Sequence, residues 1–190
     1  MNIQERLLDL LTAAISREEK QLAKCNPSGQ RSDVKSVRQY EEAWLQHVIL
    51  RAAMRVELFA RVNCELSEGC RRADFSFEEP DGTLLAILEL KMGRVGASLS
   101  DLFEKDYEKQ QLQLKTFKQN KAQRFVAVLA NGKAREMDEW LGGPYQEALD
   151  RLRVELPYRR ETKLACNLPD EQLVLILVRV SPSQPPPPRR

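Results

Sequence analysis

One histidine, four cysteines and no long apolar run leave this sequence few routes to the commonest kinds of chemistry. With His47 as the lone imidazole, Ser-His-Asp and Cys-His nucleophilic systems have almost nothing to work with; His47 itself reads as an ordinary, partly buried helical side chain. Cys25, Cys64, Cys70 and Cys166 form no Cys-x-x-Cys pair, so a structural zinc site is not expected, and reduced thiols in a cytoplasmic protein are. No apolar stretch approaches the length of a membrane span, which argues against a membrane partner. The opening MNIQERLLDLLTAAISREEK is charged and amphipathic, without the basic start and small-residue cleavage site of a signal peptide. A dominant sign of charge is missing too: 30 Lys and Arg nearly cancel 28 Asp and Glu, leaving +2, so any basic surface has to be local.

What is present suggests one domain over residues 1–180, since 190 residues can bury a substantial core and no repeat or boundary interrupts them. The tail SPSQPPPPRR, 181–190, is proline-rich and reads as disordered, with a polyproline ligand as the sharper alternative. Ile3, Leu7, Leu10, Leu11 and Ala14 recur at helical spacing and predict a helix over 2–23. A second helix is expected over 34–61, capped by Asp33 or Ser36, with Leu45, Ile49, Ala52, Val56 and Phe59 as its apolar stripe. Strands follow at 61–67, 71–78 and 83–92, then a helix over 99–119 capped by Ser98 or Ser100. RFVAVLA at 124–130 is a strand, helices are expected near 134–141 and 145–153 around Gly142-Gly143-Pro144, and EQLVLILVRV at 171–180 is the last strand.

The segment RRADFSFEEPDGTLLAILELKMG poses the functional question. Pro80-Asp81-Gly82 has turn chemistry: proline presets its φ and glycine tolerates a positive one. A turn centred there makes a hairpin in which Glu89 faces Asp74. Alternation then puts Ala73, Phe75, Phe77, Leu84, Ala86, Leu88 and Leu90 on one face, and Asp74, Ser76, Leu85, Ile87, Glu89 and Lys91 on the other. Two carboxylates and a lysine thus share a face that Leu85 and Ile87 mark as partly buried. Opposed like charges destabilise a sheet, and burying unpaired carboxylates is costly. A divalent cation beside Lys91 would compensate; a solvated edge hairpin with Lys91 bridging Glu89 or Asp74 is the plainer reading.

A carboxylate on one hairpin strand, Glu89-x-Lys91 on the next, an acidic residue on the preceding helix (Glu42, or Glu41) and a following helix together resemble the PD-(D/E)XK nuclease superfamily. The resemblance covers about 36–130 and implies a restriction-endonuclease-like αβββαβ core: an α/β fold with a mixed central β-sheet flanked by helices, here with an added N-terminal helix and C-terminal helices plus a strand. It implies that Asp74 and Glu89, with the Leu90 carbonyl, hold Mg²⁺ or Mn²⁺, that Lys91 orients the attacking water or stabilises developing charge, and that Glu42 or Glu41 completes the site. The literal Pro80-Asp81 lies in the turn and is set aside in favour of Asp74. Gln113 and Phe117 resemble a Gln-x-x-x-Tyr element of some branches, with Phe in place of Tyr.

The activity so implied is metal-dependent hydrolysis of DNA phosphodiesters. Phosphate contacts are expected from Arg71, Arg72, Lys105, Lys109 and Gln113, with Lys115, Lys118, Lys121 and Arg124 in the same basic cluster. The alternative for that cluster is a solvated helix face, since Glu104, Asp106 and Glu108 are interspersed. Two other functions stay open: a non-catalytic fold relative that binds nucleic acid or protein in a defence, repair or toxin–immunity assembly, and an unrelated α/β domain. A homodimer or a protein partner is compatible with either.

Overall fold

The computed structural model describes residues 2–25, 36–37, 42–56, 58–64, 73–116 and 122–181. The elements run α1 (Ile3–Cys25), α2 (Glu42–Arg55), β1 (Phe59–Cys64), β2 (Ala73–Glu78), β3 (Leu84–Arg94), α3 (Ala97–Thr116), β4 (Gln123–Lys133), α4 (Ala134–Gly142), α5 (Pro144–Leu152), β5 (Arg159–Leu164) and β6 (Glu171–Arg179). The six strands form one sheet in the order β1-β2-β3-β4-β6-β5. It is mixed: β3 and β4 pair in parallel, and every other described neighbour is antiparallel. The expected class, an α/β fold with a mixed sheet between helices, is what the chain adopts, and the β2–β3 hairpin lies in the sheet's interior.

Helices cover both faces, which explains why β3, β4 and β6 read as continuous apolar runs rather than alternating ones. On one face Phe75, Phe77, Ala86, Leu88, Leu90, Ala127 and Leu175 pack beneath Leu7, Leu11 and Ile15 of α1 and Leu45 and Ile49 of α2. On the other, Val126, Val128, Val174 and Ile176 pack beneath Leu99, Phe103 and Tyr107 of α3, Met137 and Trp140 of α4, and Tyr145 of α5. Each large apolar side chain buried this way contributes about 1.5–3 kcal/mol. Glu19 closes the far end of α1: its Oε1 accepts from Ser36 Oγ at 2.5 Å and from the Val37 N–H at 2.9 Å, and its Oε2 from the Asn167 N–H at 3.1 Å.

Several expectations need correction. The second helix stops at Arg55, where the Val56 and Leu58 N–H groups both turn back to the Ala53 carbonyl. Val56 and Phe59 are therefore exposed, and the buried stripe is Leu45, Val48, Ile49 and Ala53. Ser36 bonds Glu19 and lies well ahead of Glu42, so it does not cap α2; Asp33 lies outside the described residues. Helix α3 begins at Ala97, which places Ser98 and Ser100 inside it, and Ser100 Oγ instead accepts from Trp140 Nε1 at 3.0 Å. His47 is exposed rather than partly buried. Strand β5 was not anticipated. Cys25 and Cys166 are free thiols; Cys70, the Cys64 side chain and 182–190 lie outside the described residues. Among the described residues, no helix is long and apolar enough to cross a membrane.

The hairpin turn forms at the expected residues, but its four-residue turn Glu79–Gly82 is centred between Pro80 and Asp81 instead of between Asp81 and Gly82, with Glu79 and Thr83 facing each other across it. The Gly82 N–H donates to the Glu79 carbonyl, Gly82 takes φ +84°, and Asp81 Oδ1 accepts from the Thr83 N–H at 2.8 Å. Phe75 pairs with Leu88, Ser76 with Ile87 and Phe77 with Ala86, the register that directs Asp74 toward Glu89. Between Phe77 and Glu78 the register shifts, because Glu78 pairs with Leu84 and leaves Leu85 as the extra residue of a bulge. Leu85 consequently packs with the Phe75 cluster and Leu84 with Ile87, the reverse of strict alternation. Ala73 also joins Ile87 rather than Phe75.

Candidate active site

Five elements converge beyond the open end of the hairpin, where the strands run away from the turn. Asp74 on β2 is half-buried and accepts the Leu90 N–H on Oδ2 at 2.7 Å, which bridges the last part of the hairpin with a side chain. Gln46 of α2 makes a long contact, 3.5 Å, to Asp74 Oδ1. Glu89 and Lys91 leave β3 on the face covered by α3. Lys91 Nζ lies 3.3 Å from Asp106 Oδ2. Glu89 is buried, and its Oε1 accepts from Lys109 Nζ at 2.7 Å and from Gln110 Nε2 at 2.7 Å. Gln110 is itself buried, and its Oε1 accepts from Arg124 Nη1 of β4 at 2.7 Å.

The amide orientation of Gln110 follows from chemistry. A guanidinium can only donate, so the Gln110 carbonyl must face Arg124 and its NH₂ must face Glu89. Arg124 and Gln110 therefore form a buried strut that holds one Glu89 oxygen in place. Replacing Arg124 by Met should leave the Gln110 carbonyl without this donor and destabilise the fold by about 2–3 kcal/mol. The check is a urea midpoint below that of the wild type; an unchanged midpoint would mean the strut carries no stability.

Electrostatics tie these groups together. Burial pushes the Glu89 pKa up to about 7; the Lys109 hydrogen bond opposes this, and the Asp74 and Asp106 carboxylates add to it. Burial likewise raises the Glu42 pKa, with Lys91 working against it and Asp74 and Asp106 reinforcing it. For Lys91, burial favours the neutral amine, but Asp106, Glu42 and Asp74 outweigh it and hold the ammonium above its ordinary pKa. Lys91 is thus a stable cation, suited to stabilising charge and not to removing a proton.

Of the residues singled out from sequence, Asp74, Glu89, Lys91 and Glu42 are brought into one electrostatic cluster. Lys109 joins it as the partner of Glu89 instead of standing on an outer phosphate-binding face. Arg124 is buried and not part of a basic surface, because its charge is turned inward to Gln110. Lys105 is exposed on α3. Glu41, Arg71, Arg72, Phe117, Lys118, Lys121 and the side chains of Gln113 and Lys115 lie outside the described residues. Asp81 sits in the turn, at the other end of the hairpin from this cluster.

Asp106, Gln110 and Gln46 were not identified from sequence. Asp106 and Gln110 sit three and seven positions after Phe103 and alternate with Tyr107 along the helical face that meets the sheet. Polar residues at core-facing positions of a helix are the signal that would have found them.

Asp74, Glu89 and the Leu90 carbonyl are hard oxygen donors of the kind Mg²⁺ and Mn²⁺ prefer. Two observations bear on whether a cation suits them. Among the described residues, carboxylates outnumber ammoniums here: Glu42, Asp74, Glu89 and Asp106 against Lys91 and Lys109. In addition, Asp106 Oδ2 is buried and accepts no well-formed hydrogen bond, Lys91 being its ionic neighbour. The surplus of negative charge suits a divalent cation. No three His, Cys, Asp or Glu side chains among the described residues are grouped to hold a metal by themselves, so such a site would rest on two carboxylates and backbone.

Comparison with known proteins adds nothing to this geometry: no family model matches the chain, and no curated protein or solved structure matches it significantly.

Proposed function

We propose that this chain is a metal-dependent nuclease of the PD-(D/E)XK kind, with Asp74 and Glu89 as carboxylate ligands and Lys91 as the catalytic ammonium. The observation that carries the reading is the meeting of Asp74, Glu89 and Lys91 at one end of the hairpin, where Asp74 accepts the Leu90 N–H between Glu89 and Lys91 and both of those meet α3. The order α2-β1-β2-β3-α3-β4, with Glu42 on the first of these helices and the other three on the hairpin, supports it by matching the αβββαβ core. Bound at Asp74, Glu89 and the Leu90 carbonyl, Mg²⁺ or Mn²⁺ would supply Lewis-acid polarisation of a phosphate and acidify a coordinated water. Lys91, held as an ammonium, stabilises the negative charge that grows on the phosphoryl oxygens. Glu42 acts on Lys91 through space, its charge helping to keep the ammonium protonated. The substrate in this reading is DNA, and a homodimer or a protein partner remains compatible with it.

One observation favours the non-catalytic alternative, a nucleic-acid- or protein-binding relative: Glu89 already carries Lys109 and Gln110 on a single oxygen. Calorimetry with Mn²⁺, followed by cleavage assays on plasmid, linear duplex, single-stranded and branched DNA, separates the two. Metal binding with cleavage of any of these supports the nuclease. A folded protein that binds no metal and cuts none of them leaves the binding module.

A further inference from the structure

The ion pair between Lys109 and Glu89 has a consequence for the metal-free protein. Lys109 Nζ sits 2.7 Å from the carboxylate assigned above to the metal. Its neighbour Gln110 donates to the same oxygen at the same distance, yet the two donors differ in freedom. Gln110 is fully buried and pinned by Arg124, whereas the Lys109 side chain retains 23% exposure. Gln110 stays where it is; a lysine stem with several rotatable bonds and an exposed side can withdraw.

We propose that Lys109 is a resident cation of the site, neutralising Glu89 until a divalent metal displaces it. The inference rests on the nuclease reading for the identity of the metal ligands. Two like-signed cations on one buried carboxylate repel strongly in a low-dielectric setting, so the ammonium and the metal exclude each other. Gln110 and Arg124 keep Glu89 aimed while the exchange occurs, so displacement does not require the strand to move. The arrangement lets the protein fold and persist without metal despite a buried acidic cluster, at the cost of weaker metal binding than its carboxylates alone would give.

The test uses the full chain and Mn²⁺ alone, with no substrate. Lys109→Gln retains a hydrogen-bond donor and most of the packing while removing the charge. It should bind Mn²⁺ about tenfold tighter or more by calorimetry, and it should melt lower than wild type in EDTA yet gain more on adding Mn²⁺. Lys109→Arg, which keeps the charge, should behave like the wild type. Lys20→Gln, which removes the same charge from the exposed face of α1, should leave Mn²⁺ affinity unchanged. If a folded Lys109→Gln binds Mn²⁺ no tighter than a wild type that does bind it, the resident-cation inference is overturned and the nuclease reading stands. If neither protein binds Mn²⁺, both fall together.

Discussion

Asp74→Asn and Glu89→Gln should each lower Mg²⁺- or Mn²⁺-dependent DNA cleavage by about a thousandfold or more while the protein stays folded. Both changes are nearly isosteric and remove charge where a cation would need it. Asp74→Asn can keep its bond to the Leu90 N–H through the amide oxygen, so the hairpin should hold its register. Lys91→Ala should be equally inactive for a different reason: it removes the ammonium that meets developing negative charge, and leaves both proposed ligands in place. Metal affinity therefore separates the classes, falling sharply in the two carboxylate variants and persisting in Lys91→Ala. Measuring Mn²⁺ binding and cleavage on the same preparations checks it, and an active Asp74→Asn enzyme would remove Asp74 from the chemistry.

The second large effect is on stability, and its sign depends on pH. The Glu89 pKa, pushed up to about 7 by burial, lies above the ordinary value of 4.5, so the folded protein holds this proton more tightly than the unfolded chain does. Below the ordinary value the group is neutral in both states and costs nothing. As pH rises from there to about 7 the unfolded chain ionises first, and stability drains away; above it the whole penalty is in force. Glu89→Gln removes the penalty. In EDTA it should be more stable than the wild type by about 1–3 kcal/mol at pH 8, and indistinguishable from it near pH 4. Paired urea melts at the two pH values provide the check. A variant less stable at pH 8 would mean that Lys109 over-compensates the burial of Glu89.

The parts of the fold that could be read from sequence are those in which local chemistry and burial agree. Pro80-Asp81-Gly82 specifies a turn by backbone preference alone, but the register from Phe75–Leu88 to Phe77–Ala86 is reached only after the bulge at Leu85 shifts the pairing that the turn sets at Glu78–Leu84. The bulge at Leu85 has no such signature, because every residue around it is apolar and either face accepts it. Strand β5, RRETKL, was invisible because it is an edge strand whose mostly charged side chains face outward, so it lacks the apolar alternation that marks a strand. At the site, Asp74, Glu89 and Lys91 stood out as charges inside apolar strands. Asp106 and Gln110 did not, because polar residues on a heavily charged helix look solvated until something shows which side meets the sheet. Arg124 follows closely on the lysines of the α3 segment and groups with them in sequence, yet it is buried, because the Gln110 carbonyl gives its guanidinium an inward partner.

Strands β3 and β4 are the only parallel neighbours among the described strands, and α3 is the connection that parallel pairing demands. This orders events in time as well as space. The hairpin can bring Asp74, Glu89 and Lys91 together early through contacts close in sequence, but Asp106, Lys109, Gln110 and Arg124 arrive only when the crossover has closed and β4 has docked. Closing such a long loop is slow relative to forming a hairpin. A nascent or partly unfolded chain therefore carries Glu89 and Lys91 on a ribbon without Asp106, Lys109 and Gln110, although Asp74 already has the Leu90 N–H. Refolding followed by hydrogen exchange would then show protection of the Leu90 amide appearing before recovery of the Glu89 environment, making the completed centre a late reporter of the finished sheet.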